Sequence, residues 1–174
     1  MLSQFVYNQN RRKNKRLLGE LHDFPEGSMS VGRLDENSEG LLLITTDGKF
    51  SADIRSKTVE KEYHVMVEGE VSDADLEKLR SGVEISIDGS PYQTLPSKAR
   101  RLDPVPEYWP PARIRSDRHP ACSWLSITVT EGKFKQVRKM TAAIGHPTVR
   151  LIRVRIGDFE LGEMKPGEVK QINV

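Results

Sequence analysis

Residues 31–48 read Val-Gly-Arg-Leu-Asp-Glu-Asn-Ser-Glu-Gly-Leu-Leu-Leu-Ile-Thr-Thr-Asp-Gly, a charged loop that runs straight into an apolar stretch. Leu41-Leu42-Leu43-Ile44 is short and uninterrupted, which predicts a buried strand. Asp47-Gly48 then predicts a turn into a short helix carrying Phe50 and Ile54. Upstream, Arg33, Asp35, Glu36 and Glu39 crowd against that buried element. Read alone, Asp35 or Ser38 would simply cap local backbone. Arg101-Leu102-Asp103 repeats the tripeptide of residues 33–35 in a proline-rich stretch, so three letters by themselves decide nothing.

Further along, Tyr63, Val65 and Val67 alternate with His64, Met66 and Glu68, the period of a half-buried strand. Ser72 with Asp75 three residues on reads as a capping box, and Gly82 stands where that helix should stop. Val83, Ile85 and Ile87 alternate again. The stretch from Pro91 to Pro120 holds most of the ten prolines and is expected to be mostly loop. Leu125, Ile127 and Val129 alternate with Ser126, Thr128 and Thr130, the clearest antiparallel strand. Val137, Met140 and Ile144 recur at helical spacing with Gly145 as the cap. Residues 149–156 return to a strand, and a turn plus a final strand are expected after Gly157. Alternating strands with a few short helices predict an α+β fold with a mixed, mostly antiparallel sheet.

The 174 residues fit one domain that buries roughly 70% of its unfolded surface. A hydrophobic content of 36% and a charged content of 30% with both signs argue against disorder. The single cysteine, Cys122, excludes an internal disulfide framework and a thiolate-rich metal site. His22, His64, His119 and His146 lack metal-ligand spacing, and no glycine-rich phosphate loop is present. No apolar run reaches the ~18–20 residues of a membrane span, and the N-terminus lacks a signal-peptide pattern. A cytoplasmic monomer without metal or cofactor is the expectation.

A net charge of +2 does not by itself mark a nucleic-acid binder, but its distribution is uneven. Arg11, Arg12, Lys13, Lys15 and Arg16 give residues 1–28 a basic segment. From Lys133 to Arg155 there are seven basic residues (Lys133, Lys135, Arg138, Lys139, Arg150, Arg153 and Arg155) and no Asp or Glu. A charge run is usually a solvated helix face. One sign spread over both a helix and a strand is better explained by phosphate contacts.

The string from Gly32-Arg33-Leu34-Asp35 through Ser38-Glu39-Gly40-Leu41-Leu42-Leu43-Ile44-Thr45-Thr46-Asp47-Gly48 resembles the signature of the RsuA-like branch of the pseudouridine synthases. Lys61-Glu62-Tyr63-His64-Val65 and the Gln136-Val137-Arg138 core of residues 131–140 match that family as well. Trp109-Pro110-Pro111, residues 141–148 and Leu151-Ile152-Arg153 resemble the E-type large-subunit synthases within the branch. The resemblance covers about residues 29–174. It implies a pseudouridine synthase fold, with a sheet in two lobes, short helices and a central RNA-binding cleft. Many relatives carry a separate N-terminal RNA-binding domain; none is expected here, as the E-type members also lack one. The family's opening strand, before the equivalent of Leu2-Ser3-Gln4-Phe5, is expected to be missing or shortened.

The resemblance further implies isomerisation of a uridine in ribosomal RNA, of the 23S large-subunit type. Uracil leaves C1′ of its ribose, turns, and rejoins through C5. Asp35 falls on the nucleophile, Tyr63 on the residue that stacks on the target base, and Arg138 on the basic partner of the aspartate. No redox change occurs and no atom is lost, so no cofactor is implied. A carboxylate in an apolar cleft needs a nearby cation to stay charged, which gives Arg138 a physical reason as well as a family match. The target base must be flipped or already unpaired. Arg33, Lys61, Lys133, Lys135, Lys139, Arg150 and Arg153 are the expected RNA contacts. Two other readings remain open: a non-catalytic RNA-binding module, and a hydrolase of glycosidic bonds that would pair Asp35 with Glu36 or Glu39.

Overall fold

Most strands are short and take their places around three longer ones at the centre of one sheet. The structure, a computed structural model, describes residues 3–5, 16–108, 110–111 and 121–173. Leu2, the basic residues Arg11, Arg12, Lys13 and Lys15, Trp109 and His119 lie outside the described residues. In chain order the elements are β1 (Met29–Ser30), β2 (Glu39–Gly40), β3 (Ile44–Thr45), α1 (Gly48–Ile54) and β4 (Lys61–Glu68). There follow α2 (Asp73–Ser81), β5 (Glu84–Ile87), β6 (Ser90–Gln93) and β7 (Lys98–Arg101). The last are β8 (Cys122–Val129), α3 (Gln136–Ala143), β9 (Thr148–Ile156) and β10 (Phe159–Glu160).

The main sheet runs β10-β9-β4-β8-β7, with β2 added alongside β9. Among the described residues the β2–β9 pairing is parallel and the other ladders are antiparallel, so the sheet is mixed. β4 lies in the middle, between β8 and β9. Side chains alternate across a strand, so Lys61, Tyr63, Val65 and Val67 share one face and Glu62, His64, Met66 and Glu68 the other. The first face meets the main core, where Val65, Val67, Leu125, Ile127 and Leu151 pack with Leu79 of α2 and Met140 of α3. Each such side chain contributes about 1.5–3 kcal/mol relative to exposure, so the sheet centre is the rigid part of the molecule. The second face packs Met66 with Trp124 and Ile152. A separate small cluster joins Val31, Leu41, Leu43 and Ile156 to Phe50 and Ile54.

Local signals explain the helices. Asp47 accepts from the N–H groups of Lys49 and Phe50 and so starts α1. Ser72 and Asp75 cap α2 reciprocally, and Gly82 ends it. Val137, Met140 and Ile144 lie buried along the inner side of α3 and its end. No helix among the described residues is long and apolar enough to cross a membrane.

One expectation changes and two become more definite. Leu41–Ile44 is not one strand: β2 pairs with β9 and β3 pairs with β1, with the buried Leu41 and Leu43 between them. An apolar run reports burial, and here the burial comes from a bend between two ladders. The proline-rich stretch holds two regular strands. Pro91 stands opposite Ser86 in the two-stranded β5–β6 ladder, where the missing N–H is tolerated, and β7 is an edge strand of the main sheet. The expected final strand is the two-residue β10, folded back on β9 directly after the Gly157 turn.

Candidate active site

A cavity of about 1140 Å³ opens where three separate segments meet. Its floor is the first face of the sheet. The register sets Tyr63 of β4 opposite Arg153 of β9, and Lys61 opposite Ile156, and all four line the cavity. One wall is the loop 32–38, bringing Arg33 and the half-buried Asp35. The other is the loop 132–135 with the first turn of α3, bringing Lys133, Phe134, Lys135 and Arg138.

The Asp35 loop is pinned at several points. Ser3 Oγ donates to Leu34 O at 2.8 Å and accepts from Leu34 N at 3.0 Å. Ser38 N donates to Asp35 O at 2.8 Å, closing a tight turn over Glu36 and Asn37. Arg138 Nη2 donates to Asn37 O at 2.5 Å and reaches Ser38 Oγ at 3.4 Å. Among the described residues no ion pair joins Arg138 directly to Asp35. The two interact through space: burial pushes the Arg138 guanidinium down from its ordinary value, and the charge of Asp35 pushes it back up. Arg138 thus grips the backbone beside Asp35 rather than its carboxylate.

The expected RNA-binding residues divide into two groups. Arg33, Lys133 and Lys135 are exposed and line the cavity. Lys61 and Arg153 line it too, but both are buried. Lys61 Nζ donates to the carbonyls of Ser56 and Thr130, and burial, then the Arg153 charge, pull its pKa below the usual range. Arg153 Nε donates to Leu41 O at 2.8 Å, holding the bend between β2 and β3. Lys139 and Arg150 do not line the cavity. Lys139 Nζ donates to Ser86 O. Arg150 is buried on the far face of β9 and makes a two-pronged pair with Glu39, at 2.9 and 2.7 Å.

Strand geometry explains that division. Arg150 and Arg153 are three residues apart, so period two puts them on opposite faces. Arg153 and Arg155 would share a face in a regular strand. A register shift between Glu62 and Tyr63 separates them, and Arg155 ends up paired with Glu60 and Glu62.

Two features of the cavity lining had no role assigned from the sequence. Glu131 is buried and accepts from Tyr92 Oη, Leu95 N and Gln136 Nε2, while Gln136 Oε1 accepts from Lys133 N. This network fixes the loop that leads into α3. Two buried N–H donors of the cavity, Arg138 Nε and Arg153 Nη2, find no acceptor among the described residues. Each belongs to a cavity-lining residue. An unmet donor of that kind costs about 1–3 kcal/mol, which a polar ligand can recover. Among the described residues no group of three or more His, Cys, Asp or Glu is placed to hold a metal ion.

Comparison with known proteins identifies the family and the fold. Residues 2–143 match the family described as RNA pseudouridylate synthase. The chain is 45% identical over 151 residues to ribosomal large subunit pseudouridine synthase E of Vibrio parahaemolyticus, covering 83% of this chain and 60% of that protein. It is 43% identical over 172 residues to the same-named protein of Xanthomonas axonopodis pv. citri, covering 95% of this chain and 85% of that one. A solved pseudouridylate synthase superposes with a TM-score of 0.70 at 30% identity, over 87% of this chain and 60% of that chain.

Proposed function

This chain belongs to the RNA pseudouridylate synthase family, and on that premise we propose that it converts a uridine of large-subunit ribosomal RNA to pseudouridine with Asp35 as nucleophile. The observation that carries the assignment of roles is the cavity itself: Asp35, Tyr63 and Arg138, from three distant segments, line one space. The residues act as one catalytic domain, taken as a monomer working in the cytoplasm, where ribosomal RNA is available.

In the reaction the N1–C1′ bond of the target breaks and a C5–C1′ bond forms. The hydrogen on C5 is lost to solvent and N1 regains a proton, so the change is redox-neutral and needs no cofactor. Asp35 attacks the nucleotide or draws a proton from its ribose, and either route leaves uracil free to turn. Tyr63 offers a ring face against the flipped base. Arg138 holds the Asn37 carbonyl and places positive charge near the Asp35 carboxylate. The unmet N–H groups of Arg138 and Arg153 are donors for the oxygens that a flipped nucleotide brings. Arg33, Lys133 and Lys135 face the backbone of the RNA as exposed cations.

A glycosidic hydrolase would need a second free carboxyl. Of the two candidates, Glu39 is held by Arg150 outside the cavity, whereas Glu36 lines it beside Asp35, and the nearby Glu131 already accepts three hydrogen bonds. Glu36→Gln separates the readings: the isomerase should keep its tritium release, and loss as complete as in Asp35→Ala would favour the hydrolase.

The test uses ribosomal RNA tritiated at uridine C5. The wild type should release tritium, and Asp35→Ala should abolish release while still binding RNA. Arg138→Met should lower the rate by about 10²- to 10³-fold, the range for removing one charged donor. Arg138→Lys should keep an intermediate rate, because charge survives while the planar fork is lost. No release from any natural ribosomal RNA by folded wild type, or full activity in Asp35→Ala, sinks the proposal.

A further inference from the structure

Phe134 is 58% exposed although it is one of only five phenylalanines in the chain. A single exposed apolar side chain is ordinary and needs no account. Its position is not ordinary. Of the exposed large apolar side chains among the described residues, Phe134 alone lines the cavity that holds Asp35 and Tyr63. Its loop is framed by Gln136: Lys133 N donates to Gln136 Oε1, Gln136 N donates to Lys133 O, and Gln136 Nε2 donates to the buried Glu131. The next residue, Lys135, adopts a left-handed conformation with φ 52°, uncommon for a residue with a side chain. The loop therefore holds the ring out from the core by construction. Such strain gathers where function requires it.

The surroundings say what the ring meets. Lys135 Nζ lies 5.2 Å and Lys139 Nζ 5.4 Å from the ring centroid. Lys133, Lys135, Arg138 and Lys139 are the charged residues between positions 132 and 139, and all are basic. An apolar protein partner would lie against the exposed Lys133 and Lys135 with no counter-charge to offer them. A nucleotide satisfies both halves at once, with a planar base for the ring and phosphates for the ammonium groups.

We propose that Phe134 is a second stacking platform, taking an unpaired nucleotide of the RNA next to the target uridine. The proposal rests on the reading of the cavity as an RNA-modifying site and adds a substrate requirement: the target must be flanked by at least one base free to unstack. Tyr63 would take the flipped base and Phe134 its neighbour, so that the local strand is splayed between them.

Phe134→Ala, Phe134→Leu and Phe134→Tyr, each checked for folding by circular dichroism, are compared in single-turnover tritium release. Loss of one stacking face should raise the half-saturating RNA concentration about 5- to 100-fold in Ala. Leu, apolar but not planar, should resemble Ala, and Tyr should resemble the wild type. The effect should fall on half-saturation more than on the rate at saturating RNA. An unchanged Ala variant, or Leu as good as Phe, overturns the stacking role. A second measurement does not depend on turnover. Phe134→Trp titrated with a single-stranded oligouridine should show quenching beyond that of wild type, in which Trp109 and Trp124 are the emitters. Quenching in a protein that releases no tritium would keep the platform and retire the isomerase. Turnover with no quenching and no Ala effect would retire the platform and keep the isomerase.

Discussion

Glu131 shows how one buried side chain can set a cavity wall. Burial pushes its carboxyl up, but hydrogen bonds from Tyr92, the Leu95 N–H and Gln136 outweigh that, and the net value is held below the ordinary 4.5. A depressed folded pKa stabilises the protein at pH values above 4.5, and that stability is lost as the pH falls below it through the folded value. Glu131→Gln should therefore be destabilised by about 1–3 kcal/mol at pH 7. The gap from wild type, read from urea midpoints, should shrink steadily as the pH falls below 4.5. A gap that stayed constant into acid would mean that the Glu131 charge does not hold the loop. Arg150 and Arg153 make the complementary point: two identical side chains three positions apart serve a far-face ion pair and the cleft floor.

At the scale of elements, the Asp35 loop joins the main sheet through a short parallel contact. β2 is two residues long, and Gly40 in it lies opposite Arg153 of β9. Gly40 has φ +103°, and a Cβ there would stand 2.2 Å from Arg153 O and 2.6 Å from Arg153 N. Both contacts are backbone, so the strands would have to part. Gly40→Ala should lower stability by about 1–3 kcal/mol or more. Its rate at saturating RNA should drop as well, since Arg153 anchors Leu41 O and the Asp35 loop lies just upstream. Thermal melting and single-turnover rates check the two effects separately, and wild-type behaviour in both would show that the contact is dispensable. The parallel pairing escapes pattern reading because Leu41–Ile44 looks the same whether it forms one strand or bends between two. α2 is the opposite case, with both of its ends written locally in Ser72, Asp75 and Gly82.

For the whole molecule, a net charge of +2 hides a concentration of exposed cations around the cavity. Arg33, Arg55, Lys57, Lys133 and Lys135 are exposed there. If they meet phosphates of a single strand, log K against log salt should fall with a slope of about −2 to −4. Lys135→Gln should reduce the slope by roughly 0.7. Arg150→Gln, measured at a temperature where it is folded, should leave the slope unchanged, because Arg150 is buried on Glu39. Equal slopes for wild type and Lys135→Gln would remove that lysine from the phosphate path.

Local signals suffice for the α+β class, the three α-helices of the described residues and the family, because caps, alternation and the motif strings survive being read one residue at a time. Residues 31–48 also mark where the chain carries its charged loop against a buried element. Which cations face the cleft and which do not emerges only from long-range packing. That division depends on strand faces, and the register shift at Tyr63 separates Arg153 from Arg155 against the simple period. Only the fold, likewise, gathers Asp35, Tyr63 and Arg138 into one cavity and leaves Phe134 at its wall. Neither follows from spacing, because both are set by long-range pairing across β4.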